Sequence, residues 1–437
     1  MTRRKTALPD VHLNLNVRGL KQSATLSINE RSAQLQQEGR QIFRLGLGQS
    51  PFPVPQPVVD ELKANAHQKD YQPVRGLYVL REAVAAYHRR MHGIDRSAAD
   101  VLIGPGSKEL MFILQLVYYG DLVIPTPSWV SYAPQAQIVG RQIRWVPTGL
   151  ENDWRLMPEE LDRICREDSS RPRIVILNYP SNPTGDSYTL DELKALAKVA
   201  RRYKVILLSD EIYGELHYRG QHVSIARFYP EGTIISGGLS KWCGAGGWRL
   251  GTFTFPHSLR WLLDAMAVVA SETFTSTSAP IQYAAVRAFQ GGMEMEQYLN
   301  QSRRILRHLG RHIWKRLKAV GAIVSEPVGG FYLFPDFGPL REVLAARGIN
   351  DSVTLCERLL EETGVATLPG VEFGRPREEL TLRLAYVDFD GARTLVAAQQ
   401  IPPDRELDQD FLEHYCPNVV NAISAMCLWL REPAKDV

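Results

Sequence analysis

The stretch Ile174-Val-Ile-Leu-Asn-Tyr-Pro-Ser-Asn182-Pro-Thr-Gly185, followed by the helical pattern of residues 190–203 and then by Val205-Ile-Leu-Leu-Ser-Asp210-Glu-Ile-Tyr213, decides the fold. Two short runs of branched apolar residues flank a segment whose apolar positions recur three and four apart. A run that is apolar on both faces reads as a covered strand of a mostly parallel sheet, and the segment between reads as its crossover helix. The alternation continues outward, with strands expected at 122–124 and 233–235 and helices at 57–68 and 77–92. Residues 53–290 are therefore expected to form a large, doubly wound α/β domain with a mostly parallel sheet.

Beyond residue 290 the pattern changes. A long charged helix (294–320), a short strand (331–334), a helix (353–362) and a strand (380–386) predict a smaller α+β domain over 291–400, completed by residues 23–52 from the other chain end. Pro402-Pro403 breaks the chain before an amphipathic stretch, 407–430, that contains Pro417 and is expected as two helices within a 401–437 C-terminal extension. Residues 1–22 carry Arg3, Arg4, Lys5, Arg18 and Lys21 against Asp10 and read as a basic N-terminal arm. Over all 437 residues, 51 Lys+Arg balance 48 Asp+Glu to a net +3, too little to imply a nucleic-acid or membrane-surface partner. No apolar run approaches the roughly 18 residues that span a bilayer. The five cysteines are scattered, without Cys-x-x-Cys or histidines at ligand spacing, so no metal is expected and a reducing, cytoplasmic location is.

In an open α/β sheet the ligand crevice lies beyond the carboxyl ends of the strands. The Asn182 loop leaves one such end, and Asp210 and Tyr213 leave the next. A third leads into Ser236-Gly-Gly-Leu-Ser240-Lys241-Trp-Cys-Gly-Ala-Gly-Gly-Trp-Arg249. Loop lysines are usually solvated, but Lys241 is flanked by Leu239, Trp242 and Trp248. Desolvation lowers a lysine pKa and frees the amine as a nucleophile, so a lysine facing a carboxylate and a phenol suits Schiff-base chemistry. The surrounding glycines admit a bulky planar ligand close to the backbone. Gly104-Pro-Gly106-Ser107-Lys108 opens a helix expected at 110–119, a ready anion site without a Walker pattern, and Arg249 is a candidate partner for the same anion. Trp129 follows the strand at 122–124, either as core or as a platform for a flat ring.

Taken in order, these motifs resemble the class I/II aminotransferases of the fold type I pyridoxal-phosphate (PLP) family, the aspartate aminotransferase-like enzymes, from about residue 26 to 395. The resemblance rests on Leu26-Ser-Ile-Asn, Leu45-Gly-Leu-Gly48-Gln-Ser-Pro-Phe52, Tyr71-x4-Gly76-x3-Leu80-Arg81 and Trp129-Val-Ser-Tyr132. It continues through Asn182-Pro-Thr-Gly185, Ser209-Asp-Glu-Ile-Tyr213, Ser240-Lys241 with Gly247-Trp-Arg249, Leu368-Pro-Gly-x-x-Phe373-Gly374 and Arg383.

The resemblance implies PLP as cofactor and transfer of an amino group from an L-amino acid to a 2-oxo acid through a Lys241 Schiff base and pyridoxamine phosphate. Asp210 would pair with the pyridine N–H, Tyr213 and Asn182 would hold the ring hydroxyl oxygen, and Trp129 would stack on the ring. Gly106, Ser107, Lys108, Ser240 and Arg249 would hold the phosphate, with Tyr71 reaching in from the other subunit of a homodimer. Gly48 and Arg383 would grip the substrate carboxylate, assisted by Asn182.

Two positions depart from the family pattern. Gly238 stands where a phosphate-binding serine is frequent, and Ala245-Gly246 stands for the usual Met-Thr. Ser240, Ser236 and Ser107 are the candidates for the missing hydroxyl. A lyase, synthase or oxidase of the same fold would share these residues, because all activate Cα. A non-catalytic ligand-binding protein is a further alternative, against which the intact Lys241, Asp210, Tyr213 and Arg383 argue. The substrate side chain stays open between a distal carboxylate, which needs a second cation, and an apolar group lined by Tyr132, Phe52 and Phe331.

Overall fold

A computed structural model describes residues 12–20 and 24–432, so most of the expected basic arm lies outside the described residues. The strands among them are β1 (Phe43–Arg44), β2 (Val101–Gly104), β3 (Asp121–Thr126), β4 (Ile143–Pro147), β5 (Arg173–Asn178) and β6 (Ile206–Asp210). They continue as β7 (Thr233–Gly238), β8 (Gly251–Thr254), β9 (Tyr332–Leu333), β10 (Val365–Ala366), β11 (Leu368–Pro369) and β12 (Leu382–Ala385). Seven of them form one sheet in the order β2-β8-β7-β6-β5-β3-β4. Strands β3 to β7 run parallel, whereas β8 is antiparallel to both β7 and β2. The sheet is α/β and mostly parallel, as the sequence pattern predicts.

Register explains why three distant loops meet. Asn178 lies opposite Asp210 and Asp210 opposite Ser236, so β5 and β6 end level, β7 runs two residues further, and their loops leave the same sheet edge side by side. The helix between β5 and β6, Leu190–Arg202, starts from a capping box. Thr189 Oγ1 accepts from the Glu192 N–H while the Glu192 carboxylate accepts from the Thr189 N–H. Asp191 and Glu192 in its first turn and Arg201 and Arg202 in its last complement the helix dipole.

Two small sheets complete the structure, and the first of them joins the two ends of the chain. β1 pairs in parallel with β10, Phe43 opposite Val365, and β11, β12 and β9 form an antiparallel set with Arg383 opposite Leu368. The helix Met293–Ala319 buries Leu299, Ile305, Leu306, Leu309 and Ile313 against this half. After Pro402 the chain forms Gln409–Tyr415 and Pro417–Arg431, two helices that break at Pro417. The second buries Val419, Ile423, Met426 and Trp429 in the same core. Each such side chain contributes about 1.5–3 kcal/mol of burial. All five cysteines are free and buried. No helix among the described residues is long and apolar enough to cross a membrane.

Candidate active site

Lys241 follows the end of β7 and turns its amine back under the first segment of the chain, where Nζ donates to the Gly48 carbonyl at 2.6 Å. The amine lies 5.7 Å from the Tyr213 ring centre and 5.9 Å from that of Phe331. Burial pulls its pKa down to about 8; Arg383, Arg249 and Lys108 push the same way and Asp210 opposes them. At neutral pH a useful fraction of the amine is therefore uncharged.

Asp210 ends β6 fully buried. Burial raises its carboxyl to about 6, although hydrogen bonds from Tyr132 Oη (2.6 Å) and Ser236 Oγ (3.2 Å) favour the charged form. A carboxylate held this far from water gains from any cation brought to it, such as a protonated ring nitrogen. Asn178 Nδ2 ties the Asp210 carbonyl at 2.9 Å, and its Oδ1 accepts from the Asn182 N–H at 2.7 Å, so one side chain sets both loops.

Arg383, on β12, is 2% exposed. Its Nη1 donates to Asn182 Oδ1 at 3.1 Å and its Nη2 to the Gly46 carbonyl at 2.6 Å, while Nε is buried without a partner. The guanidinium lies over the rings of Tyr332 (4.8 Å) and Phe373 (5.1 Å). Tyr332 Oη meets Tyr213 Oη at 2.8 Å, linking Arg383 to the phenol. Among the described residues no acid pairs with Arg383, so a carboxylate ligand fits. Gly48 is required here, because a methyl group would lie 1.9 Å from Tyr332 Oη.

At the opposite end the helix Ser107–Val117 begins, three residues earlier than the pattern suggests. Gly106 has φ +96°, and a methyl group there would come within 2.2 Å of Arg249 Nη2. Arg249 donates to the carbonyls of Gly246 (2.9 Å) and Pro105 (3.3 Å) and meets no acid among the described residues. The Lys108 amine sits 5.2 Å from the centre of the Trp129 ring, its pKa lowered by burial and by Arg249. Two cations without a paired acid among the described residues, at a helix N-terminus, fit a phosphate. Trp129 stands edge-on to Tyr132 at 5.3 Å, which carries the contacts on to Asp210.

The structure thus brings together Gly48, Gly106, Ser107, Lys108, Trp129, Asn182, Asp210, Tyr213, Lys241, Arg249 and Arg383, with Ser240 beside the lysine in the chain. Tyr71 stands apart, 88% exposed. Three candidate assignments change. Ser236 is engaged with Asp210 and is not free to replace the family serine. Tyr132 turns its hydroxyl to the same carboxylate and does not serve as a plain apolar wall. Phe52 packs against Tyr298 and Phe389, inside the core. Gly238 is explained by φ +151° and by the Leu250 carbonyl, 2.6 Å from where a Cβ would stand. Sequence reading missed Tyr332, which lies in a short apolar run with nothing local to mark it.

Residues 40–398 match the family model "Aminotransferase class I and II". The chain belongs to the class I and II aminotransferases. It is similar to an aspartate aminotransferase of Geobacillus stearothermophilus, 36% identical over 390 residues that cover 87% of this chain and 96% of the relative. An aspartate/prephenate aminotransferase of Thermus thermophilus is 31% identical over 83% of this chain and 91% of its own. Among solved structures, the aspartate aminotransferase from Thermus thermophilus with maleate matches with a TM-score of 0.81 and 27% identity, covering 96% of this chain and all of that one. The family and the similar proteins are aminotransferases, which favours that activity over a lyase or a binding protein.

Proposed function

We propose that this aminotransferase exchanges the amino group of a short dicarboxylic L-amino acid, L-aspartate first, with a 2-oxo acid. The observation that carries the amino-acid exchange is the set of charges around Lys241. The charged groups that act on it most are the cations Arg383, Arg249 and Lys108 and the carboxylate Asp210. Arg249 and Lys108 would meet a phosphate and Arg383 one carboxylate, which suits a cofactor phosphate and an amino acid; the choice of a dicarboxylic substrate follows the names of the similar proteins.

The residues fit PLP. Asp210 would meet the ring nitrogen, Tyr213 and Asn182 the ring oxygen, and Trp129 the ring face. Gly106, Ser107, Lys108, Ser240 and Arg249 would hold the phosphate. When bound, the cofactor supplies an electron sink for a carbon that gives up its proton. Asp210, kept charged by Tyr132 and Ser236, would hold the ring nitrogen protonated. Arg383 would take the substrate α-carboxylate in its plane, with Gly48 giving room, and so fix which Cα bond stands across the ring. The Lys241 amine, near neutrality in charge, would then lift the Cα proton and return it elsewhere. Phe331, Tyr332 and Phe373 would keep water from the amine and the guanidinium.

Exposed Tyr71 supports a homodimer in which it reaches the partner's phosphate site. The placement of the seven-stranded sheet and of the β1–β10 pair supports a large PLP domain over 53–290 and a small one over 23–52 and 291–400, with 401–437 as a C-terminal extension. Five buried free thiols support a cytoplasmic location.

The test uses the PLP-loaded enzyme and its visible absorption. L-Aspartate alone is expected to discharge the band and 2-oxoglutarate to restore it, with L-leucine and L-phenylalanine at least ten-fold less effective. Stoichiometric ammonia release, or a preference for the apolar amino acids, would overturn the proposal.

A further inference from the structure

A groove of about 840 Å³ lies away from Lys241, between the long helix Met293–Ala319, the Tyr218-Arg219 turn and residues 399–406. That volume is within the usual range for small-molecule sites. Its cations are all arginines, and they divide into two sets.

Arg303 and Arg304 build the walls. Arg303 donates to the Glu215 carbonyl and carboxylate, both at 2.6 Å. Arg304 spends its guanidinium on the carbonyls of Ala398, Ile401, Pro402 and Arg405, at 2.5–3.2 Å, and so fastens residues 398–405 to the helix. The guanidinium groups of Arg219, Arg307 and Arg405 make no hydrogen bond or ion pair among the described residues, and all three side chains are exposed. They reach the groove from three separate segments. His308 lines it too, its pKa lowered mainly by burial. The acids present are Asp404 and Glu406, the latter 3.9 Å from Arg311. Gln297, Asn300 and Gln301 add neutral donors and acceptors along the same helix.

We propose that this groove binds a small anion carrying two or more linked phosphate groups. Guanidinium forks match phosphate oxygens two at a time, and three forks on separate segments suit an anion long enough to touch each. The amides offer contacts to a nucleoside if the phosphates carry one. Behind the groove, Tyr218 Oη reaches the Gly330 carbonyl and Tyr386 Oη, and Glu215 lies two residues beyond Tyr213. Occupancy would thus be felt next to the Tyr213–Tyr332 pair.

The experiment is calorimetric titration of the PLP-loaded full chain with tripolyphosphate, ATP and inorganic phosphate. One saturable site per chain is expected for tripolyphosphate, weakening with salt, and at least ten-fold weaker binding of inorganic phosphate. ATP binding tighter than tripolyphosphate would assign a nucleotide; equal binding would assign the phosphate chain alone. The double variant Arg219→Gln, Arg307→Gln should weaken binding about ten-fold or more, while Asp404→Asn should tighten it. The visible cofactor band of all variants should match that of the parent. No saturable binding, equal affinity for inorganic phosphate, or an unchanged affinity in the double variant would overturn the proposal.

Discussion

Lys241 shows how one residue acquires chemistry from its surroundings. Its amine is buried, it faces three cations against one carboxylate, and its pKa falls to about 8. The neutral amine is the nucleophile, so its reactive fraction grows as pH rises and levels off above that value. Covalent uptake of pyridoxal phosphate by cofactor-free enzyme should therefore accelerate from pH 6 to pH 8 and flatten above about pH 9. Stopped-flow absorbance would read this, and a rate still climbing steeply at pH 10 would show that Lys241 is not desolvated. For the free protein the sign is the same. A lysine whose folded pKa lies below its unfolded value favours the fold fully above about pH 10.5, and that contribution is lost as pH falls toward 8. Asp210 works against the fold in the opposite direction. With its carboxyl raised to about 6, the cofactor-free protein loses stability from about pH 4 to pH 6, where the folded form still holds the proton that the unfolded chain has released.

At the scale of elements, the start of the helix Ser107–Val117 bears the greatest demand, because its N-terminus must approach both Arg249 and an anion. Gly106→Ala places a methyl group 2.2 Å from Arg249 Nη2 at a φ of +96°. It should weaken cofactor affinity at least ten-fold and cost about 1–3 kcal/mol of stability, measured by cofactor titration and by denaturant unfolding. Unchanged affinity would mean that Arg249 is not part of the phosphate cradle. The sequence displays β5, β6 and their crossover helix because both faces of each strand are covered, which leaves continuous apolar runs. It hides β4, a half-exposed edge strand containing Arg144 and Trp145, and β8, whose interior mixes glycine and threonine with one phenylalanine. Site residues that sit at the ends of visible strands, such as Asp210 and Lys241, could be read for the same reason. Their supports could not. Tyr213 meets Tyr332 across 119 positions, and Arg383 meets Gly46 across 337, distances that no local spacing records.

Across the whole molecule, the C-terminal helix Pro417–Arg431 belongs to the main core. Trp429 is 3% exposed, its Nε1 donates to Glu362 Oε2 at 2.7 Å, and Arg347 lies 4.1 Å over its ring. Trp429→Ala should cost about 3–5 kcal/mol in denaturant unfolding while leaving substrate preference unchanged; a loss under 1 kcal/mol would make the helix a detachable appendage. The pairing of β1 with β10 has one more consequence, which concerns synthesis. Phe43 leaves the ribosome long before Val365 exists, and at about 5–20 residues per second the wait lasts on the order of half a minute. During that interval the nascent chain already carries Asp210 and Lys241, yet it has neither the partner strand nor Arg383. A newborn molecule could take up its cofactor well before it can grasp an amino acid.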